Sequence, residues 1–221
     1  MTLEWLGHSC FLMTTGAGTK ALMDPYGKFF GYKMPTIEAD VVTSSHDHLD
    51  HNKVAAAGPG ALAIRTPGAA SVKDLRLRGV STWHDGRQGA RYGPNIVFVF
   101  EADGLRVCHC GDLGHELDEK QLKEIGRVDI LLAPCGAFAS AGSEEAARLV
   151  SRLEPAIAIP MHYRTRALGA WGLLFSGVDG FVRACGLPAY REGILQATSA
   201  TLSGARRIVI LDWEYRKHAQ R

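Results

Sequence analysis

The sequence has almost no net charge, no long hydrophobic run and few cysteines. Its 25 Lys and Arg residues against 23 Asp and Glu residues leave a formal net charge of +2, so no surface for nucleic acid is predicted. The densest apolar run ends at Glu101, far short of the roughly 18 residues that a membrane span needs. The first residues include Glu4 and His8 in place of a basic and then apolar segment, so no export signal is predicted.

The five cysteines are an odd number and are widely spaced in a chain of 221 residues. This usage favours free thiols in a reducing compartment, so we expect the protein to be cytoplasmic. The hydrophobic fraction of 46% is enough for one sizeable core. Because no repeat or linker composition interrupts the chain, residues 1–221 are predicted to form one domain.

Short strand patterns dominate the first half of the chain, and strands alternate with helices in the second. The segment between residues 65 and 80 is interpreted as helical or turn, and the strand beginning at Ile157 is expected to stop at Pro160. The predicted strands are 2–6, 10–14, 20–23, 41–44, 61–65, 80–83, 95–101, 105–108, 129–132, 157–159 and 207–213, and the predicted helices are 117–125 and 143–153. This order predicts an α+β fold in which two sheets pack face to face with helices outside.

The most informative stretch is residues 46–51, which reads H-x-H-x-D-H. His46 and His48 are two residues apart at the end of a strand, so both imidazoles point to one side and can bind one cation. Asp50 and His51 follow as the chain turns, where they can face a second cation. Imidazole with carboxylate is a ligand set for zinc, iron or manganese. The stretch therefore predicts part of a metal site.

Two ions that share a water need about seven protein ligands, so further ligands are expected at other strand ends. His84 follows the strand 80–83, Asp112 lies just past the strand 105–108, and His162 follows the strand that ends near Pro160. Loops at strand ends are where a rigid scaffold usually carries its functional residues. His109 also ends a strand and is an alternative to His84.

This ordered set resembles the five motifs of the metallo-β-lactamase superfamily. Residues 5–9, 23–25 and 111–114 resemble the branch of small hydrolases that is similar to L-ascorbate-6-phosphate lactonases and, more distantly, to N-acyl-phosphatidylethanolamine phospholipase D. The resemblance spans about residues 3–165. It implies a four-layer αββα sandwich of two mixed sheets, with two metal ions at one edge.

By this resemblance, His46, His48 and His84 would hold the first ion. Asp50, His51 and His162 would hold the second ion, and Asp112 would bridge the two. The ions are expected to be zinc, with manganese or iron as alternatives. Asp50 is also the expected catalytic residue, because it could orient the attacking hydroxide.

Other residues near these motifs are candidates for substrate contacts or for support of the ligands: His8, Asp24, His109, Tyr163, Arg164 and Arg166. Asp24 is expected either to form a simple Asp-Pro turn or to orient a ligating histidine. Arg164 and Arg166 follow His162 closely enough to bind a substrate phosphate or carboxylate.

Two apolar segments have open roles. The aromatic and basic stretch from Tyr26 to Tyr32 is interpreted either as a lid or substrate wall, or as an ordinary cluster under a loop. The apolar stretch from Trp171 to Phe175 either covers the mouth of the pocket or forms a contact between copies of the chain, so a homo-oligomer is an open expectation.

The predicted function is metal-dependent hydrolysis of an ester, lactone, amide or phosphoester bond in a small molecule. One alternative is a metal-dependent phosphodiesterase or nuclease of the same superfamily, although no basic patch for nucleic acid is evident. The other is a metal-binding or sensing module without catalysis. The sequence leaves the substrate open, since one scaffold hosts many reactions.

Overall fold

The computed structural model describes residues 1–27 and 31–215. The strands are β1 Thr2–Gly7, β2 Cys10–Thr14, β3 Lys20–Met23, β4 Val41–Thr43, β5 Leu62–Ile64, β6 Gly68–Val72, β7 Leu75–Trp83, β8 Pro94–Ala102, β9 Leu105–His109, β10 Ile130–Pro134, β11 Ile157–Met161, β12 Ala189–Glu192, β13 Leu195–Gln196 and β14 Arg207–Leu211. The α-helices are α1 Glu119–Ile125, α2 Ser143–Leu153, α3 Val178–Cys185 and α4 Ser199–Leu202. Two 3-10 helices span Val54–Ala57 and Arg166–Leu174.

The strands form two mixed sheets, which confirms the predicted α+β sandwich. The first sheet has the order β13-β1-β2-β3-β4-β5, and the second has the order β12-β14-β11-β10-β9-β8-β7-β6. Pairing in the first sheet is antiparallel from β13 to β3 and parallel from β3 to β5. In the second sheet it is antiparallel from β6 to β9 and parallel from β9 through β10, β11 and β14 to β12.

The core lies between the two sheets. Phe11 of the first sheet and Phe98 and Phe100 of the second belong to one buried cluster, and each is fully buried. Burying a phenylalanine side chain contributes about 1.5–3 kcal/mol relative to leaving it exposed. Apolar and exposed residues alternate along β7, which fixes the face of the second sheet that turns inward, whereas β8 carries a continuous buried apolar run.

The outer layers of the two sheets differ. Helix α1 packs on β7, α2 packs on β10, and α3 packs on α2, so these three helices cover the second sheet. The outer face of the first sheet carries Leu12, Leu22 and Val42, which form a second buried cluster with Ala57 and Leu168 of the two 3-10 helices. In the described part of the chain, 3-10 helices and loops thus supply this layer.

Two predicted elements were wrong. The segment between residues 65 and 80 forms β6 and a hairpin with β7, in which Val72 pairs with Leu75 across a two-residue turn. Strand β11 also continues through Pro160 to Met161. Its pairing with β14 ends at Ala158, so the missing N–H of Pro160 falls where that ladder has already ended.

This topology brings the ends of several strands to one edge of the sandwich. Strands β1, β3 and β4 run in one direction in the first sheet, and β7, β9 and β11 run in one direction in the second. The residues that follow these six strands include every histidine and aspartate of the predicted metal site.

Candidate metal centre

The predicted ligands lie in two compact groups. The first ligand group is His46, His48 and His84, whose ligating atoms all lie within 4.8 Å of one another. The second ligand group is Asp50, His51 and His162, which meet the same limit together with His8. His48 is exposed, whereas His46 and His84 are buried, so the first group opens towards solvent at His48.

One carboxylate oxygen lies between the two groups. The Oδ2 atom of Asp112 is 3.3 Å from Nε2 of His84 and 3.8 Å from Nε2 of His46 in the first ligand group. The same oxygen is 3.3 Å from Nε2 of His51 and 3.2 Å from Nε2 of His162 in the second. A carboxylate that bridges two metal ions must place an oxygen between their ligand groups, and Oδ2 of Asp112 lies there.

Buried atoms of the centre fit a cation. Nε2 of His51 and Oδ1 of Asp112 are buried and make no hydrogen bond within the described residues. The carboxylates of Asp24 and Asp112 are also fully or almost fully buried. Because buried charges are normally paired or coordinate metals, this donor set of imidazoles and carboxylates fits divalent ions.

Hydrogen bonds at the outer ring nitrogens direct lone pairs inward. Nδ1 of His51 donates to Oδ2 of Asp24 at 2.8 Å. The hydroxyl of Ser45 donates to Asp24 at 2.5 Å, so Nδ1 of His46 donates to the Ser45 oxygen at 2.9 Å. Nδ1 of His162 similarly contacts Oγ of Ser140 at 3.3 Å. A donor N–H at Nδ1 leaves Nε2 free as a ligand, which is how outer hydrogen bonds select the tautomer of ligating histidines.

The electrostatics of the centre favour positive charge at its middle. Burial opposes charge on Asp112, but the neighbouring His162 and His51 hold the pKa of its carboxyl well below the usual range. Burial likewise disfavours a charged His51, yet Asp112 and Asp50 raise the pKa of this imidazole well above its usual value. Burial and His51 lower the pKa of His46 to about 2, so its ring is neutral, as a metal ligand must be.

His8 supports the second ligand group from β1. Its Nε2 lies 3.0 Å from Oδ2 of Asp50, and its ring centroid is 4.2 Å from that of His162. Burial and His162 lower the pKa of His8 to about 4, so the ring is neutral and can donate one hydrogen bond to Asp50. The sequence predicts that His8 supports the ligands. Its contacts with Asp50 and His162 are consistent with this role, which stays a prediction.

Three residues of the site have strained backbones. His8, Asp24 and His162 adopt φ values of 54°, 44° and 54°, in the left-handed region that non-glycine residues rarely occupy. Each follows directly on a strand, and the turn directs its side chain towards the centre. Such strain is common where a fold holds functional groups in place.

Asn95 is a supporting residue that the sequence analysis missed. It is almost fully buried, its Oδ1 accepts the N–H of Asp112 at 3.0 Å, and its Nδ2 donates to the carbonyl of Cys110 at 3.0 Å. Between these two residues, a Cβ on Gly111 would lie 2.4 Å from Oδ1 of Asn95, so only glycine fits there. The signal in the sequence was a polar residue near the start of the most apolar strand, β8.

His109 lies behind the centre and does not join either ligand group. Its Nδ1 accepts the N–H of Gly111 at 3.1 Å, so Nε2 carries the proton and donates to the carbonyl of Ser9 at 2.8 Å. One ring nitrogen therefore holds the backbone next to Asp112, and the other holds the backbone next to His8.

Tyr163, Arg164 and Arg166 are not brought to the ligand groups. Tyr163 packs against Trp5 at a centroid distance of 5.1 Å. Tyr163 and Arg164 line a separate cavity of about 540 Å³, and Arg166 forms an ion pair with Glu214. The left-handed turn at His162 redirects the chain, so nearness in sequence to a ligand did not produce nearness in space.

The two apolar segments are placed as follows. Tyr26 and Tyr32 are buried, and their hydroxyls bond to the carbonyl of Leu6 and to Oγ1 of Thr165, each at 2.5 Å. The predicted lid residues Lys28, Phe29 and Phe30 lie outside the described residues. At the end of the second segment, Phe175 is buried with its ring 5.2 Å from that of His162.

A small cavity of about 300 Å³ opens beside the first ligand group. His46, Arg65, Trp83 and Asn95 are among its lining residues. Arg65 forms an ion pair of 2.6 Å with Asp47, so the charges at this cavity are paired.

Comparison with known proteins places the chain in a family. The sequence profile of the β-lactamase superfamily domain matches residues 2–162. The chain belongs to this superfamily. It is 30% identical over 187 residues to an UPF0173 protein of Pyrococcus abyssi, covering 77% of this chain and 87% of the relative. It is also 30% identical over 197 residues to an UPF0173 metal-dependent hydrolase of Methanopyrus kandleri, covering 75% and 85%.

A solved structure extends this similarity to nearly the whole chain. The protein is from Thermotoga maritima and is provisionally described as a Zn-dependent hydrolase of the metallo-β-lactamase superfamily. It is 33% identical with a TM-score of 0.75, and the match covers 95% of this chain and 97% of that one. The superfamily resemblance and the sandwich fold are therefore confirmed.

Membrane insertion through a helix is not supported by the described residues. None of their helices has both the length and the apolar character that crossing a bilayer requires.

Proposed function

We propose that the protein is a hydrolase that uses two divalent metal ions, held by the first and second ligand groups and bridged by Asp112. The proposal depends mainly on the position of Oδ2 of Asp112, which lies 3.3 Å from Nε2 of His84 and 3.2 Å from Nε2 of His162. The relatives named as metal-dependent hydrolases support the same reaction type.

The donor chemistry supports zinc as the resident metal, with manganese or iron as alternatives. The seven proposed ligands supply imidazole nitrogens and carboxylate oxygens, a set that suits all three metals. Zinc is named for the relative from Thermotoga maritima, which is why we place it first.

Two ions at this position would supply a hydroxide near neutral pH and polarise the bond under attack. Asp50 is the proposed catalytic residue, because His51 and the hydrogen bond from His8 lower the pKa of its carboxyl against the effect of burial, so it stays ionised. An ionised Asp50 can accept a hydrogen bond from the attacking water and hold its orientation. His8 keeps the Asp50 carboxylate fixed while it does so.

The proposed substrate is a small molecule with an ester, lactone, amide or phosphoester bond. The near-zero net charge favours a small molecule over nucleic acid. The five cysteines are free and four of them are buried, which supports our proposal that the protein works in the reducing cytoplasm.

His48→Ala tests the proposal with least damage to packing, because His48 is the exposed member of the first ligand group. Metal content would be measured by elemental analysis, and turnover would be assayed on ester, lactone and phosphodiester substrates. The wild type should hold two ions per chain, and His48→Ala should hold fewer and lose most turnover. The matched control is His115→Ala, since this histidine lies in neither ligand group and contacts the backbone of Trp83 and Glu116.

Chelation supplies the second arm of the experiment. Removal of the metal should abolish turnover, and addition of zinc should restore it. Full activity in chelator-treated, metal-free protein would overturn the proposal. Two bound ions with no turnover on the whole panel would instead favour a metal-binding or sensing module.

A further inference from the structure

One loop joins the second ligand group to the protein surface. The β10–α2 loop, residues 135–142, leaves the same edge of the second sheet as β9 and β11. Its Ser140 hydroxyl lies 3.3 Å from Nδ1 of His162, and the N–H of Ala141 donates to the carbonyl of Leu113 at 3.1 Å. The loop is therefore held against both His162 and the segment that follows Asp112.

The loop backbone is strained on both sides of a single aromatic residue. Ala137 and Ala139 have φ values of 65° and 54°, which are unfavourable for alanine, and Phe138 lies between them. A hydrogen bond of 3.2 Å from the N–H of Ala137 to the carbonyl of Ala141 closes the turn. The two left-handed residues therefore fix how the loop presents the Phe138 side chain.

Phe138 is exposed although it is a large apolar side chain. Its relative exposure is 43%, and its ring lies 5.1 Å from that of the buried Phe175. Phe175 in turn lies 5.2 Å from His162 and 5.9 Å from His8. Two aromatic rings in contact, which we call the aromatic wall, thus lead from the second ligand group to the surface, where Phe138 is the exposed ring of the pair.

The chemistry of the loop around this wall is apolar. Residues 135–142 read Cys-Gly-Ala-Phe-Ala-Ser-Ala-Gly, without a charged side chain, and the small neighbours leave the Phe138 ring open. A substrate group in contact with this surface would gain free energy by removing apolar area from water, in proportion to its length. The polar side chain among these eight is Ser140, whose hydroxyl already contacts Nδ1 of His162, and none of the eight carries a charge that could pair with an anionic group.

We propose that the aromatic wall binds the acyl chain of a carbonyl ester, and that Phe138 determines specificity for chain length. This inference rests on the proposed function and narrows its substrate class. The scissile carbonyl would lie at the two ligand groups, and the chain would extend past Phe175 to Phe138. Hydrolysis would add the water oxygen to the carbonyl carbon, break the ester C–O bond, and leave a carboxylic acid and an alcohol that takes the proton.

Binding of alkyl hydroxamates to the zinc-loaded protein tests this proposal without requiring turnover. Acetohydroxamate and octanohydroxamate share a metal-chelating head and differ only in chain length. Isothermal titration calorimetry should show that the wild type binds octanohydroxamate at least about tenfold more tightly, because several methylene groups leave water. Phe138→Ala should reduce this ratio to near one, and Phe138→Leu should retain part of it.

Two further variants locate the chain. Tyr190→Ala removes an exposed aromatic ring on the edge strand β12 and should leave the affinity ratio unchanged. Trp83→Ala alters the cavity beside His46 and should also leave the ratio unchanged. Loss of the ratio in Trp83→Ala but not in Phe138→Ala would place the chain in that cavity and overturn the proposal.

The outcomes separate this proposal from the proposed function. Equal affinity of the wild type for the two hydroxamates, with two ions bound, would overturn the acyl-chain proposal and leave the metal centre intact. Failure of the protein to bind either metal or acetohydroxamate would overturn both. Melting curves of the variants would verify that the exposed substitution at Phe138 leaves the fold intact.

Discussion

The Nε2 atoms of His46 and His84 lie 3.2 Å apart, although the two residues follow strands of different sheets. His46 follows β4 in the first sheet and His84 follows β7 in the second. The Ser45 oxygen accepts from Nδ1 of His46, which leaves Nε2 of that ring as a lone-pair donor directed at His84. A cation bound by both nitrogens would therefore join the two sheets at this edge.

Removal of metal should lower the stability of the whole fold. A ligand that binds only the native state at 1,000 times its Kd stabilises it by ~4.1 kcal/mol. We expect chelation to lower the Tm measured by calorimetry, and His84→Ala to lose about one ion and show a smaller response to added zinc. His115→Gln should behave as the wild type. An unchanged Tm after complete metal removal would contradict a structural contribution of the ions.

Asp24→Asn should weaken metal binding without removing a ligand. Asp24 accepts the Nδ1–H of His51 and the backbone N–H of Ser45, so it fixes the tautomer and orientation of His51. Loss of such a partner typically costs about 10- to 100-fold in metal affinity or activity. Competition titration with a chromophoric zinc chelator would measure the affinity.

The control for Asp24→Asn is a destabilising variant far from the centre. Asp118 caps α1 by accepting the N–H of Gln121 at 2.8 Å, and its replacement by alanine should cost about 1 kcal/mol of stability. If Asp118→Ala lowers zinc affinity as much as Asp24→Asn does, general destabilisation would explain the result.

The order of the predicted strands and helices indicated the two-sheet fold class, whereas the division of the histidines into two ligand groups came from the resemblance to the metallo-β-lactamase superfamily. Strands β7 and β11 run directly into His84 and His162, two serines separate β4 from His46, and parallel strands of one sheet place their ends at the same edge. The layer over the first sheet was harder to predict. The 3-10 helices at Val54–Ala57 and Arg166–Leu174 carry no long amphipathic repeat, so no pattern marked them.

Supporting residues were the least predictable part of the site. Asn95 and Ser45 act through hydrogen bonds to residues that are distant or adjacent in sequence, and neither belongs to a spacing motif. Arg164 was expected near the ligands from its position after His162, but the left-handed φ of His162 turns the chain away. Such turns depend on tertiary contacts and cannot be deduced from local sequence.

Asn95→Ala should destabilise the protein and disturb Asp112. The substitution leaves the Asp112 N–H without its buried partner, and it removes one of two hydrogen bonds from both the Cys110 carbonyl and the Thr82 hydroxyl. A buried polar group left unpaired costs about 1–3 kcal/mol, so we expect a total loss of about 3 kcal/mol in the free energy of unfolding. Urea denaturation would measure it, and metal content should fall as well. A stable variant with a full metal complement would show that Asp112 is positioned without Asn95.

Asp85→Asn should destabilise the loop that follows β7, with an effect that depends on pH. Oδ1 of Asp85 accepts the N–H groups of Arg87 and Gly89, and Oδ2 accepts those of Arg91 and Tyr92, all at 2.7–3.0 Å. The hydrogen bonds from Tyr92 and its neighbours lower the pKa of Asp85 from 3.8 to about 2. An amide in its place accepts with only one oxygen and directs an NH₂ group at two N–H donors.

The sign of the pH dependence follows from the lowered pKa. A carboxylate that is stabilised in the folded state contributes its full stability above the unfolded pKa and loses it as the pH falls through the folded value. The difference in unfolding free energy between the wild type and Asp85→Asn should therefore be constant near neutral pH and shrink between about pH 4 and about pH 2. Urea denaturation of the chelated proteins at several pH values would measure this difference.

The control variant is Glu116→Gln, which removes an exposed ion pair with Arg148 and should change stability little at neutral pH. A difference for Asp85→Asn that stays constant down to pH 2 would mean that its four hydrogen bonds do not depend on the charge of the carboxylate.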